Sequence, residues 1–248
     1  METNQENIIT NKDNANSRLF EKAIISGAEN SVIKIIREKK INNELKLISG
    51  TGFFCKIYSK NLQVLLTNNS ILDQNFLDNE KKLKYIIEKN GKEDKKEINL
   101  TKDRYKYTNE ELDFTVIEII EEDGIIDFLE IEKFINSKDY KDEGIFSIQY
   151  PRELKIQFSA GKIMDKKDNL FSYSIEMDSV SSGSPILLMA NNKVIGLHTD
   201  RAKINNIKEN LGIPLNLIIN NINYVKKNPI RGSKYDYLFK LVIIGEPE

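Results

Sequence analysis

The chain has 248 residues, with 37 Lys and Arg against 38 Asp and Glu, for a formal net charge of −1, and it is 40% hydrophobic and 30% charged. That composition describes a soluble globular protein, and the near-zero charge excludes a generic electrostatic grip on nucleic acid or acidic membrane. One cysteine, Cys55, excludes a disulfide framework or a multi-thiolate metal site, and one histidine, His198, removes most metal and acid–base sites, so no cofactor or metal is expected.

Residues 1–15 are polar and Asn-rich and read as disordered; they carry neither the basic start nor the apolar core of a signal peptide. No stretch approaches the ~18 apolar residues that span a bilayer. With an unpaired thiol, these features point to a cytoplasmic protein. Leu19, Phe20, Ala23 and Ile24 recur at helical spacing and predict a short helix over residues 18–27, ended by Gly27. Residues 31–36 (SVIKII) open a series of β-rich segments: 45–58, interrupted by Gly50-Thr51-Gly52, then 62–67, 83–88, 96–100, 105–107 and 114–120. A second series follows at 144–150, 154–164, 172–177, 185–189 and 193–198. Many short strands separated by Asn, Gly, Asp and Lys clusters predict an all-β sandwich or barrel protein. Residues 213–225 are the last apolar-periodic stretch and predict a helix after Pro214.

Residues 226–234 (KKNPIRGSK) have the composition of a linker. Residues 237–245 (YLFKLVIIG) then form a nearly continuous apolar run, the pattern of a strand buried on both faces of a parallel sheet. The chain is therefore expected to stop inside a second domain.

Three segments, in order, carry chemistry. Gly50-Thr51-Gly52-Phe53-Phe54 leads into VLLTNNSIL at 64–72; ELDFTV follows at 111–116; Ser181-Ser182-Gly183-Ser184-Pro185 then precedes VIGLH at 194–198. Over residues 31–225 this set resembles the trypsin-like (chymotrypsin-fold) serine peptidases. The resemblance implies two antiparallel β-barrels, about 31–135 and 140–212, within a domain of residues 16–228, with a cleft between them and a helix at 215–226. It implies Ser182 as nucleophile, Asp113 as the triad carboxylate, and Ser70 at the position where the family carries its histidine. Backbone N–H groups at Val180 and Ser182 would form the oxyanion hole, and His198 with Thr199 would line the pocket for the residue preceding the cut.

The departures matter more than the matches. A serine hydroxyl needs a base to take its proton, and the aspartate exists to orient and stabilise that base. Ser70 has no pKa that lets it hold a proton near neutrality. Val180 stands where the family has a glycine, and a β-branched residue resists conformations that glycine adopts freely. Losing one oxyanion donor costs roughly 10²–10³ in rate. The expectation is an impaired enzyme that acts as a peptide-binding or regulatory module. Three other readings stay open: an active endopeptidase with an unconventional base, an inactivated variant of an active one, and a β-rich adaptor that binds no peptide.

Each residue also has a plainer explanation. His198 serves equally as a core-edge residue bonded to backbone or to a neighbouring tyrosine. Asp113 could be a turn residue, Cys55 a small buried hydrophobe, and the 92–96 cluster (KEDKK) a solvated hairpin tip. Glu176 and Asp178 could bias a pocket toward basic residues. FKLVIIGEP at 239–247 looks like the first strand and opening glycine of a Ras/Rab-like P-loop GTPase. Only the first glycine of the phosphate loop is present, so no nucleotide is expected to bind this chain.

Overall fold

A computed structural model describes residues 27–89, 91–132, 140–151, 155–167, 169–177, 181–200 and 210–222. The helix expected at 18–27 (apart from its last residue), Val180, Asp178, the linker and the apolar run at 237–245 lie outside the described residues.

Seven strands come first: β1 (Val32–Ile41), β2 (Glu44–Ile57), β3 (Leu62–Thr67), β4 (Lys82–Lys89), β5 (Lys92–Asn99), β6 (Lys106–Asn109) and β7 (Phe114–Glu118). They pair antiparallel in the order β5-β4-β1-β2-β3-β7-β6. Six more, β8 (Gly144–Gln149), β9 (Gln157–Lys167), β10 (Leu170–Tyr173), β11 (Pro185–Leu188), β12 (Val194–Thr199) and β13 (Asn210–Pro214), close a barrel in the order β10-β13-β12-β11-β8-β9. Two short helices are described, α1 (Gln74–Asn79) and α2 (Leu215–Asn221). The all-β, double-barrel class is thus present. Among the described residues no helix is long and apolar enough to cross a membrane.

Period-2 alternation along each strand sends side chains to different cores. On β3, Leu65 faces a cluster with Ile33, Phe54, Leu83, Ile98 and Ile117, drawn from both flanks of the first sheet, so the sheet wraps around it. Val64 and Leu66 point the other way and join Phe53, Val116, Phe146, Leu197 and Ile218. This second cluster is the seam between the two β-bodies, and it fixes the cleft. A third fills the closed barrel, with Ile145, Phe171, Tyr173, Ile186 and Ile195.

Three local expectations differ from what the chain does. The 92–96 cluster is not a hairpin tip: it lies within β5, paired along β4, with the turn at Gly91. Of β5 only Ile98 is buried, so its sequence shows no alternation, and lysines along an exposed edge deter pairing with other chains. The stretch expected to begin a helix at 213 instead starts as β13, which closes the barrel before α2 begins at Leu215. Helix α1 has no counterpart among the expected elements. Asp73 caps it by accepting the Phe76 N–H at 2.9 Å, and ion pairs from Arg37 (3.2 Å) and Lys39 (2.5 Å) tie the cap to β1.

Candidate active site

The serine loop is held by its backbone to both β-bodies. Thr51 N–H donates to the Ser182 carbonyl at 2.8 Å, and Gly183 N–H donates to the His198 carbonyl at 3.2 Å. Two glycines make this approach possible. Gly183 has φ +89°, and a Cβ there would sit 2.0 Å from the Thr51 carbonyl oxygen; a Cβ on Gly50 would meet Ile71 at 2.5 Å and the Ser182 carbonyl at 3.1 Å. Gly50-Thr51-Gly52 therefore does not interrupt β2. It runs through as strand, paired with β1, and the lack of a side chain at Gly50 admits the loop.

Among the described residues of the loop the serine hydroxyls are all engaged. Ser184 donates to the Ser181 carbonyl at 2.7 Å, and Ser181 donates to Gln149 Oε1. Ser182 is buried and donates to Asp200 Oδ2 at 2.5 Å.

Asp113 sits on a tight turn into β7, with φ +55° and 7% exposure. Its Oδ1 accepts the Ser70 backbone N–H at 3.0 Å, its Oδ2 accepts the Thr199 hydroxyl at 2.7 Å, and its carbonyl accepts Asn68 Nδ2 at 2.7 Å. Ser70 itself is exposed, on the turn that follows β3. The fold thus brings Ser70, Asp113 and Thr199 together across the seam, and Ser70 meets the carboxylate through its backbone N–H. Thr199, expected to line the substrate pocket, spends its hydroxyl on Asp113 instead.

His198 is 1% exposed and sits on β12, facing into the closed barrel. Its Nδ1 lies 2.5 Å from the Tyr173 hydroxyl and 3.3 Å from the Leu211 carbonyl. Burial, reinforced by the negative charge of Asp200, holds the Tyr173 phenol well above its ordinary range, so it stays protonated. The other ring nitrogen, Nε2, is buried without a hydrogen-bond partner among the described residues and lies 3.7 Å from Asp200 Oδ1. Cys55 is buried, and burial pushes its thiol up to about 12, which suits a small hydrophobe rather than a nucleophile. Glu176 is exposed, and its carbonyl accepts from Gln149 Nε2 at 3.3 Å.

Asp200 is the site residue absent from the sequence-based candidates. Period-2 alternation past the end of β12 puts residues 198 and 200 on one side of the chain, and that is the signal that points to it.

Comparison with known proteins agrees with this architecture. The family model described as "Trypsin-like peptidase domain" matches residues 50–197. Among solved structures, the chain is similar to the "Crystal structure of Deg5", with a TM-score of 0.59 and 15% identity, covering 82% of this chain and 92% of that one. It is also similar to the "Crystal structure of the serine endoprotease from Yersinia pestis", with a TM-score of 0.58 and 15% identity, covering 81% of this chain and 64% of that one. No curated protein matches.

Proposed function

This chain belongs to the trypsin-like peptidase domain family, and on that premise we propose that it binds a peptide or protein segment in its inter-barrel cleft as a module whose hydrolytic chemistry is impaired. One observation carries the reading. The chain's only imidazole is on β12, bonded to Tyr173, while Asp113, where the family's triad carboxylate belongs, holds a serine backbone N–H and a threonine hydroxyl. A triad without its base keeps only the ~10³–10⁴ over water that binding and oxyanion stabilisation supply.

Ser182 occupies the nucleophile position, Thr199 positions Asp113, and the backbone at Val180 and Ser182 belongs to the oxyanion region. His198, 1% exposed on β12, borders the pocket proposed for the side chain preceding the cut. The cytoplasm is the proposed compartment, on the strength of the free buried thiol. The resemblance of residues 237–245 to a P-loop strand supports attachment to a GTPase-like domain.

Screening the full chain against a peptide library, with recovery of what binds, tests this. Peptides retained by both the unaltered protein and Ser182→Ala, and recovered intact from the unaltered protein, are expected. Rapid cleavage, or no retained peptide, would contradict the reading.

A further inference from the structure

Ser182 donates its hydroxyl to a carboxylate rather than to an imidazole, so it is not without a base. Asp200 Oδ2 accepts that proton at 2.5 Å, within the reach that general-base transfer requires. The Asp200 side chain is 30% exposed, so it stands where the buried serine loop meets solvent. Its other oxygen faces His198 Nε2 at 3.7 Å. Tyr173, which keeps its phenolic proton, lies 2.5 Å from Nδ1, the other nitrogen of the same ring. The described groups therefore form a chain: Ser182, Asp200, His198, Tyr173.

We propose that Asp200 is the proton acceptor for Ser182, making a serine–carboxylate pair that cleaves peptide bonds slowly. This rests on the reading that the cleft takes a peptide and that Ser182 is its nucleophile. As Ser182 Oγ bonds to the scissile carbonyl carbon and the carbonyl π pair moves onto oxygen, the hydroxyl proton passes to Asp200 Oδ2. Collapse breaks the C–N bond, and the leaving amine takes the proton back from the Asp200 carboxylic acid, leaving an acyl ester on Ser182. Water then adds to the ester and gives its proton to Asp200, which returns it to Ser182 Oγ as the carboxylic acid product departs. His198 is a positioning residue, its buried ring set 3.7 Å from Oδ1 while Oδ2 exchanges protons. An ordinary carboxylate is a weaker base than an imidazole by roughly two to three pKa units, and the pair is slow for that reason.

The test is the second-order rate of Ser182 labelling by a fluorophosphonate, whose fluoride leaves as Oγ bonds to phosphorus. It is run on the full chain as unaltered protein, Asp200→Asn, and Asp200→Ala with and without added formate. Asp200→Asn is expected to label at least about tenfold more slowly, and formate to restore part of the rate in Asp200→Ala. Labelling that is unchanged or faster in Asp200→Asn would overturn the proposal, because Asp200 would then merely hold the hydroxyl back. Should neither variant fold, labelling of the unaltered protein in D2O decides: slower labelling supports proton transfer in step with attack, and an unchanged rate refutes it. Loss of peptide binding in Ser182→Ala with Asp200-dependent labelling intact would sink the binding role alone. Intact binding with labelling indifferent to Asp200 would sink this inference alone.

Discussion

Around Asp113 the chain keeps the hydrogen-bond frame that a catalytic carboxylate uses, with a backbone N–H on one oxygen and a buried hydroxyl on the other. Around Ser182 it keeps the backbone frame, docked by Thr51 and Gly183, but turns the hydroxyl toward Asp200. Between them, where an imidazole would link the two, Ser70 stands exposed. The contrast shows that scaffold and proton path are separable. The strands and turns that place the groups are held by burial and backbone bonding, which do not depend on which side chain receives the serine proton.

The backbone half of that contrast breaks most sharply at Gly183. Gly183→Ala places a Cβ 2.0 Å from a carbonyl oxygen in a left-handed conformation, and a loss of about 3–5 kcal/mol in chemical denaturation is expected. Gly91 has φ +74° with nothing near, so Gly91→Ala is expected to cost only about 1 kcal/mol, which isolates the contact from the conformation. Equal losses at the two sites would mean that the serine loop is not clamped against Thr51.

The Asp113 half is sharpened by a double-mutant cycle. Asp113→Asn and Thr199→Val each leave a buried polar group short of a partner, at about 1–3 kcal/mol each. Because the two groups share one bond, their effects are expected to fall short of additivity by about 1 kcal/mol or more. Strict additivity would separate Thr199 from the carboxylate.

A smaller effect is expected at Asp73, which anchors the segment just after Ser70. Burial works to raise its carboxyl pKa, but the Lys39 and Phe76 hydrogen bonds and the Arg37 charge outweigh it and hold the group below its ordinary value. A lowered folded pKa adds stability above the unfolded value, and that contribution disappears as pH falls through the folded one. Asp73→Ala is therefore expected to cost about 1 kcal/mol at neutral pH, with the difference from the unaltered protein shrinking below about pH 4. A pH-independent difference would leave only the helix cap.

Much of this is legible in the sequence, and the parts that are not have physical reasons. Ser182, Asp113 and Ser70 lie in motifs whose order and spacing carry the resemblance. Strand β13 is hidden because NLGIP contains a glycine and a proline, both poor strand formers. The glycine is there because a Cβ on Gly212 would meet the Phe171 ring at 2.6 Å. Helix α1 is only Gln74–Asn79, with two buried apolar residues, too short for its period to show. Asp200 meets Ser182 only through the fold, eighteen residues along the chain: alternation past β12 sets it on the side of His198 but does not show the contact with Ser182.

The most direct measurement is the rate at which a fluorophosphonate modifies Ser182 in the unaltered chain, set beside a trypsin-like peptidase with a complete triad. Labelling slower by a factor of at least about 10³ is the result expected of a serine that has lost its imidazole. Comparable rates in the two proteins would mean that the missing histidine costs nothing, and the claim of impaired chemistry would fall.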